Sequence, residues 1–284
     1  MLPATLPKHL ASPQSGGNPS VVQSMYWHDP SASMPLRSAI LLGIRIDAIS
    51  WEQAIGRIVR WAQAGSSRMV CLCNVHSLVT ASRAPQLATA LHGSDMNSPD
   101  GAPLAWLMRR RGWPEQQRLS GPDLMWTLLG EAERLQLPVF LLGGTPATLA
   151  QLSQRLASAF PQLPLAGSLS PPFRPLDEQD NERIADMIHA SGARIVLVGL
   201  GCPKQEVWMA AQRGRISAVM LGVGAAFDYH AGTATRAPLA WQRAGFEWLY
   251  RLVQEPTRLA RRYLVTNTLF LLALPRELWR RPHG

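Results

Sequence analysis

The residue best suited to catalysis in this 284-residue chain is a carboxylate, Asp100, in the string SPDG. The glycine that follows allows a turn, and such a turn would aim the carboxylate into a crevice. A carboxylate in that position suits a general base that takes a proton from a hydroxyl group. The alternative is structural, because Asp100 is also placed to cap a helix that would contain Trp106 and Leu107.

Glycine-bearing turns follow three apolar runs and indicate a nucleotide or phosphate site. They are GGTP from Gly143, GLGCPKQE with Gly201, and GVGAAFD ending at Asp228. Their backbone N–H groups can approach a ligand closely, and helices that begin after them present positive dipole ends to phosphate. Each glycine alone is ordinary turn chemistry. The added polar cluster favours a binding site, and its members are Lys204, Gln205, Glu206 and Asp228.

Several common sites are disfavoured by the spacing of residues. Neither Gly-x-Gly-x-x-Gly nor Gly-x4-Gly-Lys-Ser/Thr occurs, which argues against a nicotinamide cofactor and a P-loop. No Asp-x-Asp pair and no His/Cys cluster with zinc spacing occurs, so we expect neither a metal nor another cofactor. His76 and His230 are alternatives for acid or base work, but a lone histidine is more often structural.

Apolar runs alternate with amphipathic segments along most of the chain, and this predicts an α/β fold. Continuously apolar strands of this kind belong to a Rossmann-like parallel sheet covered by helices on both faces. Ligands of such sheets bind beyond the carboxyl ends of the strands. The predicted strands are 39–44, 69–73, 139–142, 163–167, 194–200 and 216–222, and the main predicted helices are 51–61, 76–91, 122–135, 145–160, 177–190 and 203–213.

Composition divides the chain into three parts. Residues 1–37 are rich in Pro and Ser and are predicted to be a flexible extension without a signal peptide. Residues 38–244 form the predicted α/β core, and 245–284 a basic helical appendage.

The longest charge-free apolar stretch of the appendage, 263–274, has twelve residues, whereas a membrane-spanning helix needs about 20. Three cysteines, without a plausible pairing for Cys71 and Cys73, favour the cytoplasm.

The positive charge is concentrated near the carboxyl terminus. The formal net charge is +9, and residues 236–284, with nine arginines and three acids, carry +6 of it. A basic segment can meet nucleic acid, an anionic membrane surface or an acidic ligand, or can simply be a solvated helix face. The remainder carries only +3, and most of its tryptophans occupy helical apolar positions. Nucleic acid is therefore the disfavoured partner.

Three strings resemble the WecG/TagA/CpsF glycosyltransferases, which make bacterial surface polysaccharides and teichoic acid linkage units. The resemblance extends from about Ala39 to Tyr263, and its motifs occur in the family's order. The strings are NVHSLVTASR (74–83) with SPDG (98–101), GLGCPKQEVWM (199–209), and GVGAAFDYHAGTATRAP (222–238) continued by FEWLYRLVQEPTRLARRY (246–263).

The resemblance implies an inverting, metal-independent transfer of a sugar from a UDP-sugar to a polyprenyl-diphosphate-linked acceptor. It also implies a Rossmann-like core and an appendage that contributes to the active site and holds the enzyme at the cytoplasmic face of the membrane. A homo-oligomer is left open. The alternative function is a nucleotide-sugar-binding module at the membrane surface that does not catalyse.

The same resemblance assigns roles to individual residues. Asp100 matches the family's presumed base, Asn74 a polar residue of the substrate pocket, and Gln205 and Asp228 motifs at the nucleotide-sugar site. Asp228 could equally anchor the turn that follows it. The appendage arginines expected near phosphates are Arg251, Arg258 and Arg261.

Leu72 stands where many members of the family have Thr, and this leaves the donor sugar open among N-acetylmannosamine, its uronic acid and glucose.

Basic residues of the appendage would meet lipid headgroups, at about 1 kcal/mol each near an anionic surface. Arg251, Arg258 and Arg262 share a helical face only if the helix is continuous, and Pro256 is predicted to start a new one. Apolar residues could insert into the interface or pack in the core. They include Leu264, Val265, Leu269, Phe270, Leu272 and Trp279.

Overall fold

A six-stranded, wholly parallel sheet forms the centre of the protein, in the order β4-β3-β8-β7-β5-β6. The computed structural model describes residues 35–279, without the side chain of Arg258. The α/β prediction is confirmed. The six strands are β3 (Arg68–Cys73), β4 (Met96–Pro99), β5 (Val139–Gly143), β6 (Leu165–Leu169), β7 (Ile195–Gly199) and β8 (Val219–Gly222), and a separate hairpin joins β1 (Ser38–Leu41) to β2 (Ile44–Asp47).

Helices cover both faces of the sheet, because alternate residues of the buried strands point to opposite sides. Val70 and Leu221 contribute to one apolar cluster, and Cys71 and Met220 to the other. The helices are α1 (Trp51–Gln63), α2 (Val75–Ala81), α3 (Pro85–His92), α4 (Ala102–Arg110), α5 (Gly121–Arg134), α6 (Pro146–Ala159), α7 (Glu178–Ala190), α8 (Lys204–Gln212), α9 (Ala226–Ala231), α10 (Leu239–Arg243), α11 (Glu247–Gln254) and α12 (Pro256–Trp279).

Strand β4 was not predicted, although it carries Asp100 at its end. All four of its residues are buried, but the sequence MNSP contains two polar residues and no apolar run. Asn97 is satisfied by partners outside the strand, because its N–H donates to Asp47 and its side-chain amide donates to the carbonyl of Leu91. A buried polar group with a hydrogen-bond partner is stable, but it interrupts the apolar run that would mark a buried strand. The sequence therefore does not predict β4.

Two predicted elements are divided in the structure. The apolar run 39–44 is a hairpin rather than one strand, because Leu42 and Gly43 adopt positive φ angles of 48° and 86° at a tight turn. The predicted helix 76–91 is broken after Ala81. Pro85 begins α3, and the residue before a proline avoids helical geometry; Ala84 has ψ of 95°.

The end of the described chain folds back onto the core. Helix α11 ends at Gln254 and α12 begins at Pro256, so the predicted break at Pro256 is confirmed. Helix α12 packs against α2, with Leu259 and Phe270 buried. Near its end Glu277 forms a buried ion pair of 2.8 Å with Arg111. The predicted division at 244/245 stays a prediction, and most of the proposed extension 1–37 lies outside the described residues.

The opposite side of α12 is an exposed apolar face, which consists of Leu264, Val265, Leu271, Leu272 and Trp279. Leu272 is 72% exposed and Trp279 is 92% exposed. Leu269 and Phe270, by contrast, contact the core. Between residues 35 and 279, none of the helices combines the length and hydropathy that a membrane span requires.

Candidate active site

Asp100 lies directly after β4, at the carboxyl edge of the sheet. Its N–H donates to the carbonyl of Cys73 over 2.8 Å, and its carbonyl accepts from Arg118 Nε over 2.6 Å. Its carboxylate oxygen Oδ1 accepts from the N–H of Gly121, the first residue of α5, over 3.1 Å. The alternative role as a cap of the helix containing Trp106 is wrong, because Gly101 occupies that N-cap and no side chain caps it.

The surroundings of Asp100 change its affinity for a proton. Burial raises the pKa of this carboxyl, and the negative charge of Glu247 raises it further. Arg118, the N–H of Gly121 and the side chain of Asn74 act in the opposite direction, and the net pKa is above the ordinary range of aspartate. With 22% of its side chain exposed, Asp100 is accessible from the crevice and suited to accept a proton.

Asn74 reaches the same place from the neighbouring strand β3. It is the N-cap of α2, where its Oδ1 accepts from the N–H of Ser77 over 3.2 Å. Its side chain also lies beside Asp100, where it favours the ionised form of that carboxyl and so lowers its pKa. The fold thus brings Asn74 next to Asp100, whereas the substrate contact of Asn74 stays a prediction. Leu72, two residues earlier, is buried in the core against Gly121.

The predicted glycine turns also lie at this edge. Gly143 has φ of 117° and lies against Gly199, where an added Cβ would be 2.6 Å from the carbonyl carbon. Gln205 Oε1 accepts from the N–H groups of Gly201 and Gly224, over 3.2 and 3.1 Å. Gln205 is 4% exposed, so its visible role is to hold two turns together; its contact with a sugar nucleotide stays a prediction.

Two predicted polar residues lie farther out on this edge. Lys204 is exposed at the start of α8, with its ammonium 5.6 Å from the ring centroid of the exposed Phe173. Asp228 is half-buried in α9, and its carbonyl accepts from the N–H groups of Thr233 and Ala234. Its Oδ1 also accepts from Thr233 Oγ1 over 3.4 Å, so the side chain contributes to the turn that follows α9. Substrate contacts of both residues stay predictions.

The three predicted phosphate-binding arginines differ in position. Arg251, in α11, is half-buried with its guanidinium 5.6 Å from the ring centroid of Tyr229, which follows Asp228 in α9. Arg261 is exposed on the outer side of α12, and the side chain of Arg258 lies outside the described residues. Arg251 is thus the appendage arginine that the fold brings towards the glycine turns.

Both histidines near the edge have structural surroundings. Burial and the charge of Arg262 lower the pKa of His76 to about 4. His230 stacks on Trp126 with 4.5 Å between ring centroids, and its Nε2 is 2.8 Å from the carbonyl of Pro122. Burial lowers the pKa of His230 as well. Both imidazoles are therefore neutral at pH 7, and their omission from the catalytic set stays a prediction.

A charged network that the sequence analysis missed surrounds the Asp100 carboxylate. Arg118, from the loop before α5, is 2.5 Å from Glu247 of α11. Arg236 lies 3.6 Å from the same glutamate and also pairs with Asp123. Arg236 and Glu247 belong to the strings that carry the family resemblance, and this was the available signal; Arg118 lies outside every motif.

Comparison with protein families gives one match that covers nearly the whole chain. The family model described as "Glycosyl transferase WecG/TagA/CpsF family" matches residues 39–284. The match contains the sheet, the edge that carries Asp100 and the appendage. It also continues beyond Tyr263, where the motifs alone had placed its end.

Proposed function

Because the chain belongs to the WecG/TagA/CpsF family of glycosyltransferases, which synthesise cell-surface glycans, we propose that its donor is a UDP-sugar and its acceptor a polyprenyl-diphosphate-linked sugar. The observation that carries the proposal is the position of Asp100. Its carboxylate is anchored at the sheet edge by the N–H of Gly121, beside Asn74 and the glycine turns. This edge is where parallel α/β sheets bind nucleotides.

The proposed reaction is a single displacement with inversion. The acceptor hydroxyl oxygen attacks the anomeric carbon while Asp100 takes the hydroxyl proton, and the bond from that carbon to the UDP oxygen breaks. UDP departs with the bonding electrons, and the new glycosidic bond forms on the opposite face of the sugar. A raised pKa suits the base, because the ionised carboxylate then binds the transferred proton more strongly.

The second requirement is stabilisation of the negative charge on the departing diphosphate. We assign this role to arginine and to backbone N–H groups. Arg251 offers a permanently charged, planar donor that matches phosphate oxygens. The turns at Gly143 and Gly201 bring main-chain groups to the same edge, and an ammonium at Lys204 lies beside them. These groups can stabilise the leaving group without a metal ion.

The test is to incubate the purified protein with a mixed pool of UDP-sugars and native bacterial membranes. We expect release of UDP and a lipid-linked product whose added sugar is identified by mass spectrometry. That mass separates N-acetylmannosamine, its uronic acid and glucose. Absence of UDP release and product across the pool, with a protein that is folded by circular dichroism, would overturn the proposal.

We also propose that the exposed apolar face of α12 lies in the cytoplasmic surface of the membrane. Leu264, Leu271, Leu272 and Trp279 stand on one side of the helix, where insertion would remove apolar area from water. The arginines of the appendage would meet anionic headgroups at the same time. Such placement would bring the sheet edge close to a lipid-linked acceptor.

Leu271→Ser with Leu272→Ser is expected to weaken binding to anionic liposomes by more than about tenfold, since each buried leucine contributes roughly 2 kcal/mol. Flotation with phosphatidylglycerol vesicles measures the loss. The matched control is Leu165→Ser, which changes an exposed leucine on β6, away from the appendage. Equal flotation of the double variant and the control protein would exclude this face as the anchor.

A further inference from the structure

One arginine stands between two carboxylates beside the proposed base. Arg118 Nη2 is 2.5 Å from Glu247 Oε2 and 4.0 Å from Asp100 Oδ1. Its Nε donates to the backbone carbonyl of Asp100, so the guanidinium is held next to the base. The Nη2 nitrogen is hydrogen-bonded to Glu247, and its ion pair with Asp100 is long in comparison.

This arrangement matters because a direct pair with arginine would weaken a base. An arginine in contact with a carboxylate lowers its pKa by about 1–3 units. It would also occupy an oxygen lone pair that the acceptor proton needs. Arg118 needs to move little more than 1 Å to make that contact, judged by the difference between 4.0 Å and a normal hydrogen bond of about 2.9 Å.

We propose that Glu247 is a positioning residue for the base: its carboxylate holds Arg118 back, so that Asp100 stays free to accept the proton of the acceptor hydroxyl. Glu247 lies in the first turn of α11, whereas Arg118 and Asp100 belong to the core. The base is therefore ready only when α11 is docked. This inference rests on the proposed role of Asp100 and extends it to a residue of the appendage.

The charged and polar groups that face Asp100 come from several elements. Among them, Glu247 raises the pKa of Asp100, whereas the others lower it. Its negative charge favours the protonated form of Asp100, as burial does. Arg236 holds Glu247 from the other side at 3.6 Å and so keeps it in place. The groups that favour the ionised form are the amide of Asn74, the N–H of Gly121, Arg118 and Arg236.

Glu247→Gln tests the proposal, because it removes the negative charge but keeps the size of the side chain. Arg118 is then free to pair with Asp100. We expect kcat to fall about tenfold or more, with little change in KM for the donor. In the pH profile of kcat, the acid limb should move by about one pH unit towards lower pH, because Arg118 lowers the pKa of Asp100. A merely structural role would lower activity without moving that limb.

Arg118→Gln is the complementary variant and has the opposite sign. Without the positive charge, the acid limb should move to higher pH, whatever effect the change has on the rate. It also keeps the proposal testable if Glu247→Gln fails to fold. The matched control is Glu131→Gln, which removes a carboxylate paired with Arg134 at the far end of α5. The control should leave the acid limb in place.

A second measurement separates this inference from the proposed function. The ¹³C signal of the Asp100 carboxyl, assigned by its loss in Asp100→Asn, reports the titration without any turnover. If the wild-type protein transfers no sugar, the proposed function fails, and the carboxyl titration still decides the positioning role. A titration midpoint that is the same in Glu247→Gln and in the wild type would overturn the inference.

Discussion

Asp100→Asn is expected to lower kcat for sugar transfer by about 10²–10⁴-fold, the usual contribution of a general base. Asparagine cannot take the proton of the acceptor hydroxyl. Its amide oxygen can still accept from the N–H of Gly121, so the anchoring of the β4 end on α5 should survive. Donor affinity should change little, because the base acts on the acceptor.

The measurement is kcat with a saturating lipid-linked acceptor, together with the Kd of the UDP-sugar from calorimetry. Asp186→Asn, on the exposed side of α7, is the matched control and should retain full activity. Wild-type kcat should also fall as the pH drops through the raised pKa of Asp100, above the ordinary range of aspartate. Substantial transfer by Asp100→Asn would move the base to another residue.

Glu277→Gln should lower the free energy of unfolding by about 3–5 kcal/mol, the largest loss of stability expected among these variants. Arg111 and Glu277 are each about 3% exposed, with 2.8 Å between Nη2 and Oε2. The neutral amide would leave the buried guanidinium without its counter-charge. Because the pair joins α12 to the end of α4, the expected result is a lower free energy of unfolding in urea and faster hydrogen exchange in α12.

Two variants control this measurement. Glu178→Gln breaks a pair with Arg215 that measures 3.0 Å but is more than half exposed, so its cost in stability should stay within about 1 kcal/mol. Arg111→Met combined with Glu277→Leu removes both buried charges and should recover much of the lost stability. An effect of Glu277→Gln no larger than that of Glu178→Gln would show that the pair does not hold the appendage.

Much of the sheet could be predicted because its signals are local. Apolar runs in β3, β5, β7 and β8 are buried on both faces and need no knowledge of the rest of the chain. Proline and glycine marked the beginning of α12 and the turns at the sheet edge for steric reasons. Strand β4 lacked such a signal, since two of its four buried residues are polar and Asn97 is satisfied by partners outside the strand.

The residues of the candidate site also fall into those that the sequence could predict and those that it could not. Asn74 could be chosen from the sequence because it follows a predicted strand, and the carboxyl ends of parallel strands share one edge. Asp100 could be chosen because it precedes a glycine and lies in a string that carries the family resemblance. The role of Arg118 could not, since its partner Glu247 is 129 positions away in the chain. Arg251 and Arg261 looked equivalent as basic residues of the appendage. Only the tertiary structure separates them, since α11 places Arg251 beside Tyr229 whereas α12 leaves Arg261 exposed.

By itself, the sequence determined the α/β class, the glycine turns, the surplus of arginine towards the carboxyl terminus and the family that these motifs resemble. Each of these follows from residue type and short-range spacing. The tertiary structure decided that Asp100 is anchored on α5 and that Glu247 stands between Arg118 and Arg236. The physical reason is that charge pairing depends on distances between elements, which only the packing of the helices on the sheet sets.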